Sequence, residues 1–389
     1  MEGSSTDRST DRSMDGSRTD QAPAARGRVE GETAVASAGV AGKDQPWTVR
    51  RLLAWINGFL TEREVDSPRV VAEVLVSEVL GVERLRLYME PERELDADEL
   101  ARLRALVARA GRHEPIQYLV GKWGFFGRDF LVAPCTLIPR PCTEGLVEAA
   151  LEWYRSSGAG AVRALDLCTG TGCIAISLAL GLRAIARPTG AGCRPLKGGT
   201  SEGVPPDVPV FKVDAPLARA GQAAPSPAGS AAGSGFTPSD LRGAASRVVA
   251  TDVVPAAIEL ARANAARLGA DVELHVGDMW SAVPEGESFD LVVSNPPYVT
   301  DAEYAALDRN VRDYEPASAL RGGPDGLDFV RRVVDGASTR LRRGGLLLIE
   351  IGWRQGEGAR RLVSGAEWTS AGVLKDAEGH DRILRAVRA

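Results

Sequence analysis

From Trp47 to Ala110, apolar side chains recur at three- and four-residue intervals, the period of helices with one buried face. Leu52, Trp55, Ile56 and Phe59 do so within 47–60, Val70, Val74 and Leu75 within 67–79, and Leu100, Leu103, Leu106 and Val107 within 97–110. Ser67-Pro68 reads as an N-cap followed by proline at the first helical position. These stretches predict a small helical domain over 46–112. The period then changes. Residues 123–132 alternate, broken by Gly124 and Gly127, and predict a β-hairpin within a linker over 113–141. Beyond it, a helix opens at Thr143-Glu144 and runs to Trp153. Short apolar runs at 164–167, 247–252, 272–276, 288–294 and 345–351 then alternate with helical patterns, and a strand pair closes the chain. Strands separated by helices predict an α/β fold, a doubly wound and mostly parallel sheet, over 142–389.

Composition marks two stretches that do not fit this pattern. Residues 1–45 are Ser, Thr, Asp, Arg, Gly and Ala with a short echo, Thr6-Asp7-Arg8-Ser9 then Thr10-Asp11-Arg12-Ser13. With little to bury, they are expected to be a disordered tail, and their acids argue against a transit peptide. Residues from about 183 to 246 are rich in Gly, Ala, Pro and Ser and are expected to be a flexible insertion. The formal net charge of −5 gives no global nucleic-acid signature, although a local basic face stays open. Five cysteines without a Cys-x2-Cys pair, and only three scattered histidines, argue against a disulfide framework, a metal site or a histidine triad. No apolar run approaches a membrane span and no signal-peptide core is seen. A reducing, cytoplasmic setting away from membranes is the expectation.

The chemistry concentrates at strand ends. Leu291-Val292-Val293-Ser294-Asn295-Pro296-Pro297-Tyr298 reads as a buried strand entering a rigid turn. Proline fixes φ and carries no N–H, so the loop is stiff at the carboxyl end of a strand, where open α/β sheets place ligands. The Asn295 side-chain oxygen and the Pro296 carbonyl are two close acceptors suited to a planar NH2 group, with Tyr298 adding a flat face. The alternative is a structural Pro-Pro turn.

Asp166-Leu167-Cys168-Thr169-Gly170-Thr171-Gly172 lies between a strand and a helix, where glycines let the backbone approach a ligand closely. Gly170-x-Gly172-x-x-Ala175 also meets the loose dinucleotide fingerprint. Asp166 suits an ammonium-bearing ligand better than a pyrophosphate. Asp252 ends the next strand, where an acid binds ribose hydroxyls, and removing the insertion restores roughly the usual spacing of about 20 residues from the glycine loop. Asp278 could accept from an exocyclic amine and Trp280 or Met279 could pack on a purine, or the pair could be a capping Asp and a core Trp. Arg140 between Pro139 and Pro141 reads equally as a surface charge or as a side chain held near the site.

Taken together, these segments resemble the release-factor glutamine N5-methyltransferases of the HemK/PrmC type. The resemblance spans about 47–389 apart from the insertion. It is carried by Glu114-Pro-Ile-Gln-Tyr-Leu-Val-Gly121, Leu137-Ile-Pro-Arg-Pro141 with Thr143-Glu144, Asp166-Leu-Cys-Thr-Gly-Thr-Gly172 and Asn295-Pro-Pro-Tyr298, with support from Glu315-Pro316 and Gly326-Leu327-Asp328-Phe329. Asn-Pro-Pro-Tyr alone is shared with enzymes that methylate amino groups of DNA and RNA. Two features depart from the family: Cys142 stands where an acid is usual, and the tail and insertion are atypical.

The resemblance implies the class I methyltransferase sheet with S-adenosyl-L-methionine as cofactor. Class I peptide chain release factors would be the protein substrate, modified at the glutamine of their Gly-Gly-Gln loop and docked partly by the helical domain, with no stable nucleic-acid binding. Cofactor residues would be Asp166, Cys168, Thr169, Gly170, Thr171, Gly172, Asp252, Asp278, Trp280 and Asn295. The glutamine slot would be formed by Asn295, Pro296, Pro297, Tyr298 and Phe126, with Asn295, Pro296 and Tyr298 at the chemistry. The rivals are a methyltransferase for nucleic-acid bases, a cofactor-binding protein without activity, and a nicotinamide dehydrogenase. The last has no use for Asn-Pro-Pro-Tyr.

Overall fold

Seven strands form the central sheet, and the inner ones carry apolar runs whose alternate members face opposite layers. β3 (Arg163–Leu167), β4 (Arg247–Asp252), β5 (Glu273–Val276), β6 (Phe289–Ser294), β7 (Leu341–Glu350), β8 (Trp368–Lys375) and β9 (Asp381–Arg388) stand in the order β5-β4-β3-β6-β7-β9-β8. All pairings are parallel from β5 to β7, and β9 joins antiparallel to both β7 and β8. The order reverses between β3 and β6, so a crevice opens beyond their carboxyl ends. This computed structural model describes residues 46–186 and 245–389. The expected tail over 1–45, and all but the ends of the expected insertion, lie outside the described residues.

Both faces of the sheet are covered. Ala164, Val248, Ala250, Leu291 and Val293 pack on one side against α6 (Glu144–Ser157), α7 (Cys173–Ala186) and α8 (Pro255–Leu268). Leu165, Leu167, Val249, Val292 and Leu347 pack on the other against α11 (Asp328–Arg340) and α12 (Gly356–Leu362). One boundary is corrected. Residues 183–186 belong to α7 rather than to an insertion, because buried Leu182 and half-buried Ile185 continue its packing face.

The N-terminal helices α1 (Val49–Thr61), α2 (Pro68–Leu80), α3 (Arg84–Met89) and α4 (Ala97–Ala110) enclose their own core around Ile56, Leu60, Leu75 and Leu103. Asp96 starts α4 with a reciprocal capping box to Glu99. Ser67 occupies the N-cap position of α2 with Pro68 at its first residue, as the sequence reading has it, although at φ +49° its side chain makes no cap bond. A short α5 (Ile116–Val120) leads into the hairpin of β1 (Lys122–Phe125) and β2 (Arg128–Leu131). Residues Trp47–Ala389 form one compact unit. Tyr118 Oη donates to Thr136 O at 2.6 Å within the linker, and Tyr314 Oη, between β6 and β7, donates to Arg112 O at 2.7 Å just after α4. Among the described residues no helix is long and apolar enough to cross a membrane.

Candidate active site

At the reversal point lies a cavity of about 620 Å³, within the size range of small-molecule sites. Its floor is the loop after β3. Cys168, Gly170 and Gly172 all take left-handed φ, and Gly172 at +80° has no room for a side chain: a Cβ there would stand 3.0 Å from Ala261 and Ile176. Thr169 N donates to Thr251 O at 3.0 Å, and Gly170 N to Asp252 Oδ2 at 2.9 Å. Asp252 also accepts from Val254 N at 2.9 Å, and burial raises its carboxyl above the ordinary range. The loop therefore drapes over the end of β4, with the Asp252 carboxylate held by backbone donors at the cavity wall.

Asp166 does something else. Its fully buried carboxyl accepts from Thr169 Oγ1 at 2.6 Å and from Ala175 N at 3.2 Å, joining β3, its loop and the start of α7. It does not line the cavity, and burial pushes it up to about 7. Cys168, Thr169, Gly170, Thr171, Asp252, Asp278 and Asn295, all anticipated from sequence, do line it. Trp280 does not. Its indole lies over Gly336 and donates to Arg332 O at 2.9 Å, so its ring packs on α11 while Met279 faces the cavity. Asp278 in turn pairs with Arg332 at 2.7 Å.

The end of β6 forms the opposite wall. Ser294 Oγ donates to Leu167 O at 2.8 Å, locking the two strand ends together. Asn295 Nδ2 donates to Thr143 Oγ1 at 3.1 Å, while Asn295 Oδ1 is buried and unpartnered among the described residues. A buried acceptor without a donor is costly. Pro297 reaches the cavity but Pro296 and Tyr298 do not. Tyr298 Oη donates instead to Glu350 Oε1 at 3.1 Å, and Gln355 Nε2 donates to Tyr298 O at 2.8 Å, so the tyrosine clamps the turn from behind. Phe126, at φ +49°, lies against the hairpin core, its N–H bonded to Glu144 Oε1 at 2.7 Å, away from the cavity.

Behind the turn sits the fully buried Glu350. Burial raises its carboxyl, while Thr143, Arg382, Tyr298 and Cys142 favour the charged form. Cys142 Sγ lies 3.7 Å from Glu350 Oε1, and burial beside that acid pushes its thiol up to about 12. Arg140 pairs with buried Glu315, whose other oxygen accepts from Ile138 N at 3.1 Å, which holds the Pro-Arg-Pro segment along the cavity.

Thr136, Leu137, Pro139 and Thr143 of this segment line the cavity, as do Arg332 and Phe329 of α11. Thr136, Leu137 and Pro139 belong to the expected linker, and Thr143 to the expected start of the next helix. Their signal was the stiffness of Ile138-Pro139-Arg140-Pro141 followed by a hydroxyl. Among the described residues one further group of potential metal ligands, Asp376, Glu378 and His380, gathers on the β8–β9 turn, away from the cavity. Asp376 there already pairs with Arg382.

The cavity's donor set suits a nucleoside with an amino-acid arm. It offers an acid at the end of β4, the glycine loop leading into α7, and the apolar Val253, Val254 and Met279. Thr171 Oγ1, buried in the wall without a partner, adds an unsatisfied polar atom.

Comparison with known proteins adds a second line. A family described as the PrmC N-terminal domain matches residues 51–121, and one described as a methyltransferase domain matches residues 230–314. The chain is 36% identical over 342 residues to the release factor glutamine methyltransferase of Geobacter sulfurreducens, covering 88% of this chain and 97% of that one. It is 35% identical over 325 residues to that of Koribacter versatilis, covering 84% and 93%, and 31% identical over 346 residues to that of Bacillus subtilis, covering 87% and 98%. Among solved structures, a methyltransferase from Pyrococcus furiosus is 16% identical at a TM-score of 0.36, covering 75% of this chain and 98% of that one, a likeness too distant to carry an argument.

Proposed function

The chain belongs to the release factor glutamine methyltransferases, and from that premise we propose that it methylates the side-chain amide nitrogen, N5, of the glutamine in the Gly-Gly-Gln motif of class I peptide chain release factors. It is an S-adenosylmethionine-dependent methyltransferase. When bound, S-adenosylmethionine supplies an electrophilic methyl group on a sulfonium. Asp252, Thr171 and the Gly170–Gly172 loop would hold the cofactor, with Val253, Val254 and Met279 against its heterocycle.

The observation that carries the glutamine reading is the orphaned Asn295 Oδ1 in the cavity wall. An amide nitrogen is a weak nucleophile because its lone pair is delocalised into the carbonyl. Asn295 Oδ1 would take one of its N–H bonds and aim the nitrogen at the methyl group; the Pro296 carbonyl, the second acceptor expected from the sequence, belongs to a residue outside the cavity lining. The proline-fixed turn, clamped by Tyr298 and Glu350, keeps the Asn295 acceptor from shifting as charge develops. Asn295 orients and does not remove the proton, which passes to solvent. No histidine is needed, and none lines the cavity.

Replacing Asn295 by Ala tests this. Turnover on a release factor is expected to fall by about 100- to 1000-fold, the usual cost of losing one preorganised polar contact. Cofactor affinity, measured by titration calorimetry, is expected to stay within about threefold, because the donor set that holds the cofactor lies on β3 and β4. Near-normal turnover would refute the role of Asn295.

A further inference from the structure

The two ends of an asparagine amide are almost the same shape, but only the oxygen can receive a substrate N–H. Which end of Asn295 faces the cavity is therefore decided by what holds the other. Nδ2 donates to Thr143 Oγ1 at 3.1 Å, and Thr143 is itself 2% exposed. Thr143 closes the 3-10 turn Pro141–Thr143 and stands beside Glu350, the last residue of β7. Glu350 Oε1 also accepts from Tyr298 Oη at 3.1 Å. The Thr143 oxygen accepts from Nδ2, which leaves Oδ1 as the end of the amide without a protein partner among the described residues.

We propose that the Thr143 hydroxyl is a positioning residue that fixes the Asn295 amide with its oxygen toward the reacting nitrogen. Without it the amide turns over. Nδ2 then faces a substrate group that carries only donors, and the acceptor is lost. The inference rests on the glutamine reading above, since it is a planar NH2 group that demands this polarity.

The test compares wild type with Thr143→Ser, Thr143→Ala and Thr143→Val. Each is assayed for cofactor Kd and for kcat and KM with a purified release factor, and a Gln→Ala version of the Gly-Gly-Gln loop serves as the blank. Ser and Ala differ by the hydroxyl alone, so a purely packing role makes them alike. The positioning role predicts Ser within about fivefold of wild-type kcat and Ala and Val lower by about 30-fold or more, as expected when a reacting group is misplaced. KM and cofactor Kd stay within about threefold, because the contacts that hold cofactor and protein substrate are left in place. Thr143→Ala matching Thr143→Ser overturns the positioning role while the wild type remains active. A wild type that leaves the release factor unlabelled overturns the glutamine reading, and the positioning role with it. Should Thr143→Val fail to fold, the Ser and Ala pair decides.

Discussion

At the scale of single residues, the site depends on groups held in states that water would not favour. Asp166 is the clearest. Its carboxyl ordinarily titrates near 3.8, and burial pushes it up to about 7 in the fold. The unfolded chain releases this proton near pH 4 and the folded chain near pH 7, so between them the native state binds a proton the unfolded state has lost. Stability therefore declines as pH rises through that window, by on the order of a few kcal/mol. Denaturant midpoints at pH 5 and pH 7.5 are expected to differ clearly in the wild type. In Asp166→Asn the difference shrinks to the part left to Asp252, Glu350 and Glu148, whose carboxyls burial also raises. Equal slopes in both proteins would contradict this. Asn295 and the glycine turn could be read from sequence because their constraint is local: prolines and left-handed glycines leave few conformations. That Trp280 and Asp166 stand outside the cavity lining was not legible, for the opposite reason. Whether an indole meets a ligand or a helix depends on Gly336, 56 residues later, and whether an acid faces a cavity or a helix start depends on strand register.

At the scale of elements, Asn264 joins three pieces of the fold. From α8 its oxygen accepts from Leu131 N at 2.7 Å, and its nitrogen donates to Leu131 O and Thr171 O, both at 3.0 Å. The hairpin and the cofactor loop are thus tied through one fully buried side chain. Asn264→Ala leaves three backbone groups without partners and is expected to cost about 2–4 kcal/mol of stability. Calorimetry would show a lower Tm together with weaker cofactor binding; an unchanged Tm would contradict it. The amphipathic helices were legible because their period is long and regular. α3 was not, because only Leu87 of its six residues is buried and its pattern repeats too briefly. β7 begins at Leu341, ahead of the expected start at residue 345, because the strand continues through Gly344 and Gly345 with a shift in register against β6.

At the scale of the whole molecule, three strand ends, a clamped turn and a proline-rich segment converge on one cavity, beside a helical domain with its own core. The strand-helix alternation made the sheet legible, and the convergence of Gly170, Asp252 and Asn295 followed from its parallel order. The contribution of Thr136, Leu137, Pro139 and Thr143 did not, because it arises only when the linker folds back over the sheet and Glu315 holds it there. On the proposed function, this cavity serves one amide of one protein. The most direct test is methyl transfer from labelled S-adenosylmethionine to purified release factor, the same factor with Gln→Ala in its Gly-Gly-Gln loop, unmethylated DNA and ribosomal RNA, with the labelled residue mapped by mass spectrometry. The account predicts label on the intact factor alone, at that glutamine. Label on the Gln→Ala factor, or on nucleic acid alone, would contradict it.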